Sequence, residues 1–239
     1  MISNQENDNQ CSLRVEPVRS TLSCLHEAAG GDWAKFLGIT PRYLVGLLRG
    51  RKMHETITPQ ITRDIYMPVS PEKGEFLYNT ARAIGARTII EFGTSFAIST
   101  IYLAAAVKDN GGGTVIGSEI EPAKYEKALV NLAAAGLDNI ANIRLGDAMQ
   151  TLSEVPAPVD LVFMDGWKVL YLPLLKQLLP SLRPGTVLLA DNVRSFRSSL
   201  TEFLTYLHSR DSAFHSVTLG LGDGMEYAVY LGAANQQSG

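Results

Sequence analysis

Apolar runs and helical stretches alternate regularly from about residue 87 of the chain. The predicted strands, rich in β-branched and apolar residues, are 88–92, 114–119, 143–145, 159–164 and 186–190. The helical stretches between them are 99–107, 122–135, 148–152 and 169–182. Strands separated by such helices form βαβ units around a parallel sheet, and continuously apolar strands are typical of a sheet covered on both faces. The pattern therefore predicts an α/β fold, with a Rossmann-like, doubly wound, mostly parallel sheet and helices on both faces.

The pattern changes after a helix predicted near residues 198–208. Two strand-like runs, 214–219 and 225–231, are separated only by the glycine-containing segment 220–224. Because so short a connection joins antiparallel strands, we predict a C-terminal antiparallel hairpin at the edge of the sheet.

The first third of the chain lacks this alternation. Residues 1–30 include stretches rich in Asn, Gln and Glu, which predicts a flexible tail. Further on, Thr-Pro or Ser-Pro pairs at 40–41, 58–59 and 70–71 each place a capping hydroxyl before a proline, and the last of these helices is expected to end near Gly85. The predicted organisation is the tail (1–30), a segment of extra N-terminal helices (31–66) and the main domain (67–239).

The segment of extra helices carries apolar residues at helical spacing. They are Phe36, Leu37, Tyr43, Leu44, Leu47 and Leu48. A parallel-sheet core does not need this additional apolar face, so we predict that the segment shapes substrate entry or packs across a two-fold homodimer. Packing on its own domain is the alternative.

Composition and charge narrow the class of protein. The 239 residues are 46% hydrophobic and 19% charged, and the formal net charge is −3. There is no basic run dense enough for nucleic-acid binding and no apolar stretch of transmembrane length. The first ten residues show no apolar h-region, so we expect no signal peptide. The two cysteines, Cys11 and Cys24, are too few for a disulfide scaffold. We therefore expect a cytoplasmic protein with a small-molecule partner rather than nucleic acid or membrane.

Polar residues stand where the predicted strands end, which is the edge of a doubly wound sheet where ligands bind. The first strand contains Glu91 and turns at Gly93, where a glycine lets a ligand approach the backbone. The second ends in Glu119, whose carboxylate can accept hydrogen bonds from both hydroxyls of a ribose. Glu121 is the competing acid, but a proline follows it, so we expect it to be a helix N-cap. Asp147, after the third strand, is placed to meet an adenine edge.

Two missing motifs narrow the cofactor. The chain has no G-x-G-x-x-G, which weakens a nicotinamide or flavin interpretation, and no G-x-x-x-x-G-K-[ST], which weakens a nucleoside triphosphate interpretation. A cofactor that contains adenosine but no pyrophosphate needs neither loop. S-adenosylmethionine is such a cofactor.

The ends of the fourth and fifth predicted strands are the most specific part of the sequence. Asp165 follows the fourth strand, with Lys168 three residues later, and Asp191-Asn192 follows the fifth. Two carboxylates and an amide at adjacent strand tips supply the hard oxygen ligands that Mg²⁺ prefers. Either aspartate alone could equally cap the following helix, but the combination favours a metal site.

Five motifs stand out along the chain: D-G-W-K at 165–168, Y-L-P at 171–173, G-T-V-L-L-A-D-N-V at 185–193, M-x-V-x-x-x-K-G at 67–74 and D-G-M-E at 223–226. Together they resemble catechol O-methyltransferase. They occur in the family's order and on the corresponding predicted elements. The resemblance implies a divalent-metal-dependent class I S-adenosylmethionine O-methyltransferase that acts on a hydroxyl of a small catechol-like or phenolic acceptor.

The resemblance also implies a role for individual residues. The metal ligands would be Asp165, Asp191 and Asn192. The general base would be Lys168, and the acceptor would be contacted by Lys168, Asn192 and Glu226, with Glu226 facing the hydroxyl that is not methylated. The cofactor would be bordered by Met67, Val69, Glu91, Gly93, Thr94, Ser99, Glu119, Asp147, Ala148, Asp165 and Trp167.

The chain departs from the family pattern at two positions. Ala97 stands where the family usually has a glycine, which predicts a slightly displaced turn. Gly166 stands where a larger side chain often lies beside the cofactor. We place no match in the family pattern for the segment before Met67, so the choice of acceptor is not implied.

Other functions fit parts of the pattern. The main alternative is a metal-independent methyltransferase that acts on a macromolecule or an amine. The acidic charge balance argues against RNA, and an Asp-Pro-Pro-Tyr-type motif of amino-group methylation is missing after the fourth strand. A non-catalytic adenosine-binding module and a nicotinamide dehydrogenase are the remaining alternatives.

Overall fold

A computed structural model describes residues 11–31 and 69–232. The helices in these ranges are α1 (Val18–Gly31), α2 (Pro71–Ala83), α3 (Ile98–Asp109), α4 (Pro122–Ala134), α5 (Ala148–Thr151), α6 (Tyr171–Leu178) and α7 (Thr201–His208). The strands are β1 (Thr88–Phe92), β2 (Thr114–Glu119), β3 (Ala141–Leu145), β4 (Val159–Met164), β5 (Leu182–Asp191), β6 (Phe214–Leu219) and β7 (Met225–Tyr230). Short 3₁₀ turns cover Ser12–Arg14, Lys168–Leu170 and Leu179–Ser181.

The strands form one seven-stranded sheet in the order β3-β2-β1-β4-β5-β7-β6. Strands β1 to β5 pair in parallel, whereas β7 is antiparallel to both β5 and β6. The prediction of a mostly parallel, doubly wound sheet with a C-terminal antiparallel hairpin is confirmed. In this hairpin β7 pairs with β5, so β6, which precedes β7 in the chain, is the edge strand of the sheet.

Helices cover both faces of the sheet because side chains alternate between the faces along each strand. Ile89 packs with buried residues of α1 to α4, whereas its neighbour Ile90 packs with buried residues of α5 to α7. Every residue of β4 is buried, including Asp160 within its otherwise apolar run. Full burial of one such aliphatic side chain stabilises the fold by roughly 1.5–3 kcal/mol.

The N-terminal residues correct the prediction of a flexible tail over 1–30. Val18, Leu22 and Leu25 lie on one side of α1 and are buried in the core. The backbone and hydroxyl of Ser12 donate hydrogen bonds to the carboxylate of Asp109, at 2.8 and 2.5 Å. The helical spacing of the three apolar residues is present in the sequence, but the polar residues between them obscured it. Residues 1–10 lie outside the described residues.

The predicted helical segment 31–66 also lies outside the described residues, apart from Gly31, and so does Met67. The homodimer stays a prediction. The Ser-Pro helix start at 70–71 is confirmed, since the Ser70 side chain accepts a hydrogen bond from the backbone N of Lys73 at 3.4 Å. No helix within 11–31 or 69–232 is long and apolar enough to cross a membrane.

The chain crosses to opposite faces of the sheet after β1 and β4, which places a crevice at the ends of these strands. Gly93 adopts φ +97°, and a Cβ there would lie 2.6 Å from the backbone N of Gly166. A Cβ at Gly166 would lie 2.5 Å from the ring of Phe92. Gly93 therefore requires glycine, whereas a side chain at Gly166 would have to displace the Phe92 ring, which fills the space where the family often has a larger side chain.

Candidate active site at the strand tips

Side chains from β4 and β5 meet around one ammonium group. Lys168 Nζ donates hydrogen bonds to Asp165 Oδ1 at 3.2 Å and to Asn192 Oδ1 at 3.1 Å. A third hydrogen bond runs from Lys168 Nζ to the hydroxyl of Tyr171 at 2.6 Å. Lys168 is buried, and the Asp165 side chain keeps 19% of its surface exposed. The structure thus brings together the catalytic and metal-binding residues predicted on these two strands.

Local backbone geometry explains this convergence. The 3₁₀ turn Lys168–Leu170 begins three residues after Asp165 and returns the lysine to the end of the strand. After β5, Asn192 adopts φ +62°, in the left-handed region that asparagine enters more readily than most side chains. The chain turns sharply there and places the amide oxygen on the lysine.

Tyr171 is part of this site, although the sequence analysis used it only as a motif residue. Its hydroxyl donates to the carbonyl of Met164 at 2.8 Å and accepts from Lys168. Burial raises the pKa of Tyr171 well above its ordinary value, so the hydroxyl keeps its proton and remains a donor. The signal was available, because Tyr171 lies three residues after Lys168, about one helical turn away.

Asp191 is paired with a lysine that the sequence analysis did not assign to the site. Asp191 Oδ1 accepts from Lys73 Nζ at 2.5 Å and from the backbone N of Asn192 at 2.7 Å. Lys73 and Asp191 are both buried. Burial raises the pKa of Asp165 to about 6; the ammonium of Lys168 opposes this rise, and the carboxylate of Asp191 adds to it.

The donor atoms at these tips fit a hard divalent cation. Within the described ranges, no group of three or more His, Cys, Asp and Glu side chains could hold a metal ion. The site has two carboxylates, and the third oxygen donor is the amide of Asn192. Carboxylate and amide oxygens suit Mg²⁺, which keeps several positions for water or substrate. Two lysines bind the same oxygens, so an ion would compete with them.

The tip of β2 fits a polar ligand. Glu119 accepts hydrogen bonds from the backbone N of Ser95 at 2.7 Å and from the backbone N of Glu121 at 2.8 Å. These bonds orient the carboxylate and leave lone pairs on both oxygens. The Ser95 hydroxyl is buried without a hydrogen-bond partner among the residues that the structure describes. Since buried polar atoms are nearly always paired, it is a candidate contact for a bound ligand.

Four residues after β2 and β3 were expected near the adenine or at a helix cap, or lie where the adenine was expected. Ile120 is 57% exposed directly after Glu119, an apolar surface at the predicted adenine side that the sequence analysis missed. Asp147 is exposed and caps α5 by accepting from the backbone N of Met149 at 2.9 Å, while Ala148 is buried behind it. Glu121 occupies the N-cap position of α4, but its side chain makes no capping hydrogen bond.

Glu91 anchors the turn after β1. Its carboxylate accepts hydrogen bonds from the hydroxyls of Thr94, Ser99 and Thr100, at 3.1, 2.7 and 2.5 Å. The side chain has no exposed surface, and burial raises its pKa to about 7 while the three hydroxyls lower it. In the structure, the predicted cofactor residues Thr94 and Ser99 therefore contact Glu91, and their contact with a cofactor stays a prediction.

We expect the Glu91→Gln substitution to flatten the pH dependence of the free energy of unfolding. Because the pKa of Glu91 rises from 4.5 to about 7, the folded state binds the proton more tightly than the unfolded chain does. The stability that this proton contributes is fully present below about pH 4.5 and is lost as the pH rises through about 7. Glutamine does not titrate. As the pH rises through this range, the free energy of unfolding of the variant should therefore fall by roughly 1–3 kcal/mol less than that of the unsubstituted protein. Denaturant unfolding at about pH 5 and pH 8 measures the difference, and parallel losses in both proteins would contradict it.

Glu226 is engaged with two side chains that the sequence analysis did not select. Its Oε1 lies 2.6 Å from His208 Nε2, and its Oε2 accepts from the Thr218 hydroxyl at 2.6 Å. Glu226 has no exposed surface and pairs across the sheet with Ala190. The structure therefore brings Glu226 beside the end of β5, and its contact with an acceptor stays a prediction.

The structure also describes two further predicted cofactor residues, Val69 and Trp167, and the alanine of the turn before α3, Ala97. Val69 is buried just before α2, and Trp167 is half-buried between Gly166 and Lys168. Ala97 adopts φ +65°, the left-handed conformation that glycine enters without strain. The replacement of glycine is thus accommodated by a strained alanine that keeps the left-handed conformation.

Comparison with known proteins agrees with this geometry. A family model described as a methyltransferase domain matches residues 90–193. Catechol O-methyltransferase B of Danio rerio is 30% identical over 183 residues, covering 71% of the chain and 68% of that protein. A catechol O-methyltransferase of Niastella koreensis is 37% identical over 129 residues, covering 52% of the chain. The chain spans only 58% of the length of the Niastella protein.

A solved structure supports the same grouping. It is the O-methyltransferase of tomaymycin synthesis from Streptomyces achromogenes, in complex with S-adenosylmethionine, and it is 28% identical to this chain. The two structures superpose with a TM-score of 0.64, covering 70% of this chain and 82% of the Streptomyces protein.

Proposed function

The chain belongs to the catechol O-methyltransferase family of class I S-adenosylmethionine O-methyltransferases, and on that premise we propose its reaction. The protein is, in this proposal, a cytoplasmic enzyme that transfers the methyl group of S-adenosylmethionine to one hydroxyl of a small catechol-like or phenolic acceptor. The transfer depends on Mg²⁺ or another divalent cation. The observation that carries the proposal is the convergence of Asp165, Lys168, Asp191 and Asn192 at the tips of β4 and β5.

The acceptor hydroxyl has to lose its proton before it can attack the methyl group. A free phenol has a pKa of about 10 and is mostly protonated at neutral pH. Bound at Asp165, Asp191 and Asn192, a divalent cation would hold the acceptor oxygens and lower the pKa of the hydroxyl. In its neutral amine form Lys168 Nζ would have a lone pair for this proton, and the hydrogen bonds that join it to Asp165 and Asn192 hold it beside the proposed metal ligands.

The other half of the site holds the methyl donor. S-adenosylmethionine supplies the methyl group on a sulfonium. Glu119 would accept hydrogen bonds from its ribose hydroxyls, and the exposed face of Ile120 would pack on its adenine. The turn at Gly93 lets the backbone approach its methionine part, and the buried Ser95 hydroxyl is a further donor on that side. Holding the methyl group in line with the acceptor oxygen contributes to the rate by orientation.

We expect Glu119→Ala to weaken binding of S-adenosylmethionine by roughly 1.5–3 kcal/mol, the range for hydrogen bonds to a charged group. The substitution removes the carboxylate that the backbone N–H groups of Ser95 and Glu121 orient. Calorimetric titration measures the affinity. Glu126→Ala, at an exposed position on α4, is the matched control. An affinity equal to that of the control would remove Glu119 from the cofactor site.

The alternative of methyl transfer without a metal also has an observation in its favour. Both carboxylates of the site already carry a lysine ammonium, Lys168 on Asp165 and Lys73 on Asp191. In that case the lysines would balance the charge, and the acceptor could belong to another class, such as an amine or a macromolecule. Full activity in the presence of a chelator would favour this alternative.

A methyl-transfer screen tests the proposal directly. Simple catechols, caffeoyl-type phenols and polyketide-like phenols are incubated with S-adenosylmethionine, with Mg²⁺ or with a chelator. We expect at least one class with adjacent hydroxyls to be methylated, and only with the cation. Methylation of amines alone, or of no phenol in the screen, would contradict the proposed acceptor class.

A further inference from the structure

Lys73 is held at the metal-facing carboxylate by three parts of the fold. It lies near the N-terminus of α2, and its ammonium contacts Asp191 at the end of β5. The loop between β6 and β7 packs on its stem, since a Cβ at Gly222 would lie 2.7 Å from Lys73 Cε. The side-chain exposures of Lys73 and Asp191 are 7% and 2%. This ion pair is therefore a buried, fixed contact and not a surface pair of two mobile side chains.

The charges at the strand tips are balanced without a metal. Asp165 is paired with the ammonium of Lys168, and Asp191 with the ammonium of Lys73. A divalent cation on the same oxygens would therefore add an uncompensated double charge to a poorly solvated site. Like charges at a few ångströms repel strongly where water is excluded. The ion can bind only if it displaces the two ammonium groups from these oxygens or if its attraction to the carboxylates exceeds its repulsion from the ammonium groups.

The two lysines differ in what the proposed reaction requires of them. Lys168 is bonded to Asp165, Asn192 and Tyr171, and it is the group that takes the acceptor's proton. Lys73 contacts Asp191 through Oδ1, the same oxygen that accepts from the backbone N of Asn192. Lys73 has no part in the proton transfer, so the effect of its charge is on how tightly the site binds the divalent cation.

We propose that Lys73 competes with the divalent cation for Asp191 and thereby sets a weak affinity of the site for the ion. This inference rests on the proposed metal-dependent function. A protein without the Lys73 charge should bind the ion more tightly, because the repulsion is gone and the ion relieves an unpaired buried carboxylate. If Lys73 served only to hold Asp191 in place, its removal would weaken ion binding instead.

Direct binding of Mn²⁺ shows whether removal of Lys73 makes ion binding tighter or weaker, and it needs no activity assay. Binding is measured by the loss of the paramagnetic resonance signal of the free ion. The proteins are the unsubstituted chain, Lys73→Met, Lys73→Gln and Lys127→Met. Lys127 is exposed on α4, so its substitution removes the same charge from the protein away from the site. We expect both Lys73 variants to bind Mn²⁺ at least about tenfold more tightly, and Lys127→Met to bind within about twofold of the unsubstituted chain.

Lys73→Gln keeps a hydrogen-bond donor for Asp191, so it carries the test if Lys73→Met unfolds. Adding Asp191→Asn to either Lys73 variant should remove the gain, which locates the ion at Asp191. Unchanged or weaker Mn²⁺ binding in the Lys73 variants would overturn the competition while the proposed metal site stands. No Mn²⁺ binding by any of the proteins would overturn the metal site itself, and the competition with it.

Discussion

Asp191→Ala should abolish methyl transfer while S-adenosylmethionine still binds with nearly its original affinity. The carboxylate stands at the end of β5, where we propose that the cation binds, whereas the proposed cofactor contacts come from Gly93, Glu119 and the turn between β1 and α3. Loss of a cation that acidifies the acceptor costs several kcal/mol of transition-state stabilisation, so turnover should fall by about 10³-fold or more. A chelator should have the same effect on the unsubstituted enzyme, and added Mg²⁺ should reverse it.

The substitution at Asp191 also destabilises the fold, and the experiment must separate this effect from the loss of a metal ligand. It leaves the ammonium of Lys73 buried without its partner, and breaking a buried ion pair destabilises a protein by roughly 3–5 kcal/mol. Asp191→Asn keeps the size of the side chain, and the double substitution with Lys73→Met removes both charges. Asp211→Ala, at an exposed position, is the control for a lost carboxylate elsewhere. Full activity of the unsubstituted enzyme in chelator would defeat the metal assignment.

Lys168→Ala is expected to lower turnover by a factor of about 10²–10⁴, the contribution of a general base. The ammonium also links Asp165 to Asn192, so its loss loosens both strand tips. Lys168→Met keeps most of the apolar stem and removes the ammonium, which lies over the rings of Tyr171 and Phe196, so it separates the loss of the proton acceptor from the loss of the stem.

The pH dependence of the Lys168 variants identifies the role of the lysine. Without a base, the acceptor has to ionise unaided, so the remaining activity should rise with pH towards the pKa of the bound phenol. The measurement is a pH–rate profile of each protein with Mg²⁺ and with chelator, and Lys176→Ala on α6 is the exposed-lysine control. A Lys168→Ala profile that coincides with that of the unsubstituted enzyme would defeat the assignment of the base.

The parallel strands were predicted well because their signal is local. A strand buried on both faces is continuously apolar, and the bounds of β1, β2 and β4 agree with the prediction. β5 is longer than predicted, beginning at Leu182, since its exposed first half contains Pro184 and Gly185 and lacks an apolar pattern. Helix α1 was missed for a similar reason, because polar residues separate the apolar positions that pack on the core.

The sequence by itself determined which residues stand at the ends of the strands, and therefore that Asp165, Lys168, Asp191 and Asn192 would meet. Adjacent parallel strands end at the same edge of a sheet, so the order of strands and helices is sufficient for that inference. Only the tertiary structure decided the partners. Lys73 and Asp191 are 118 positions apart in the chain. Their contact depends on how α2 and the β6–β7 loop pack over β5, which no local pattern of apolar and polar residues encodes.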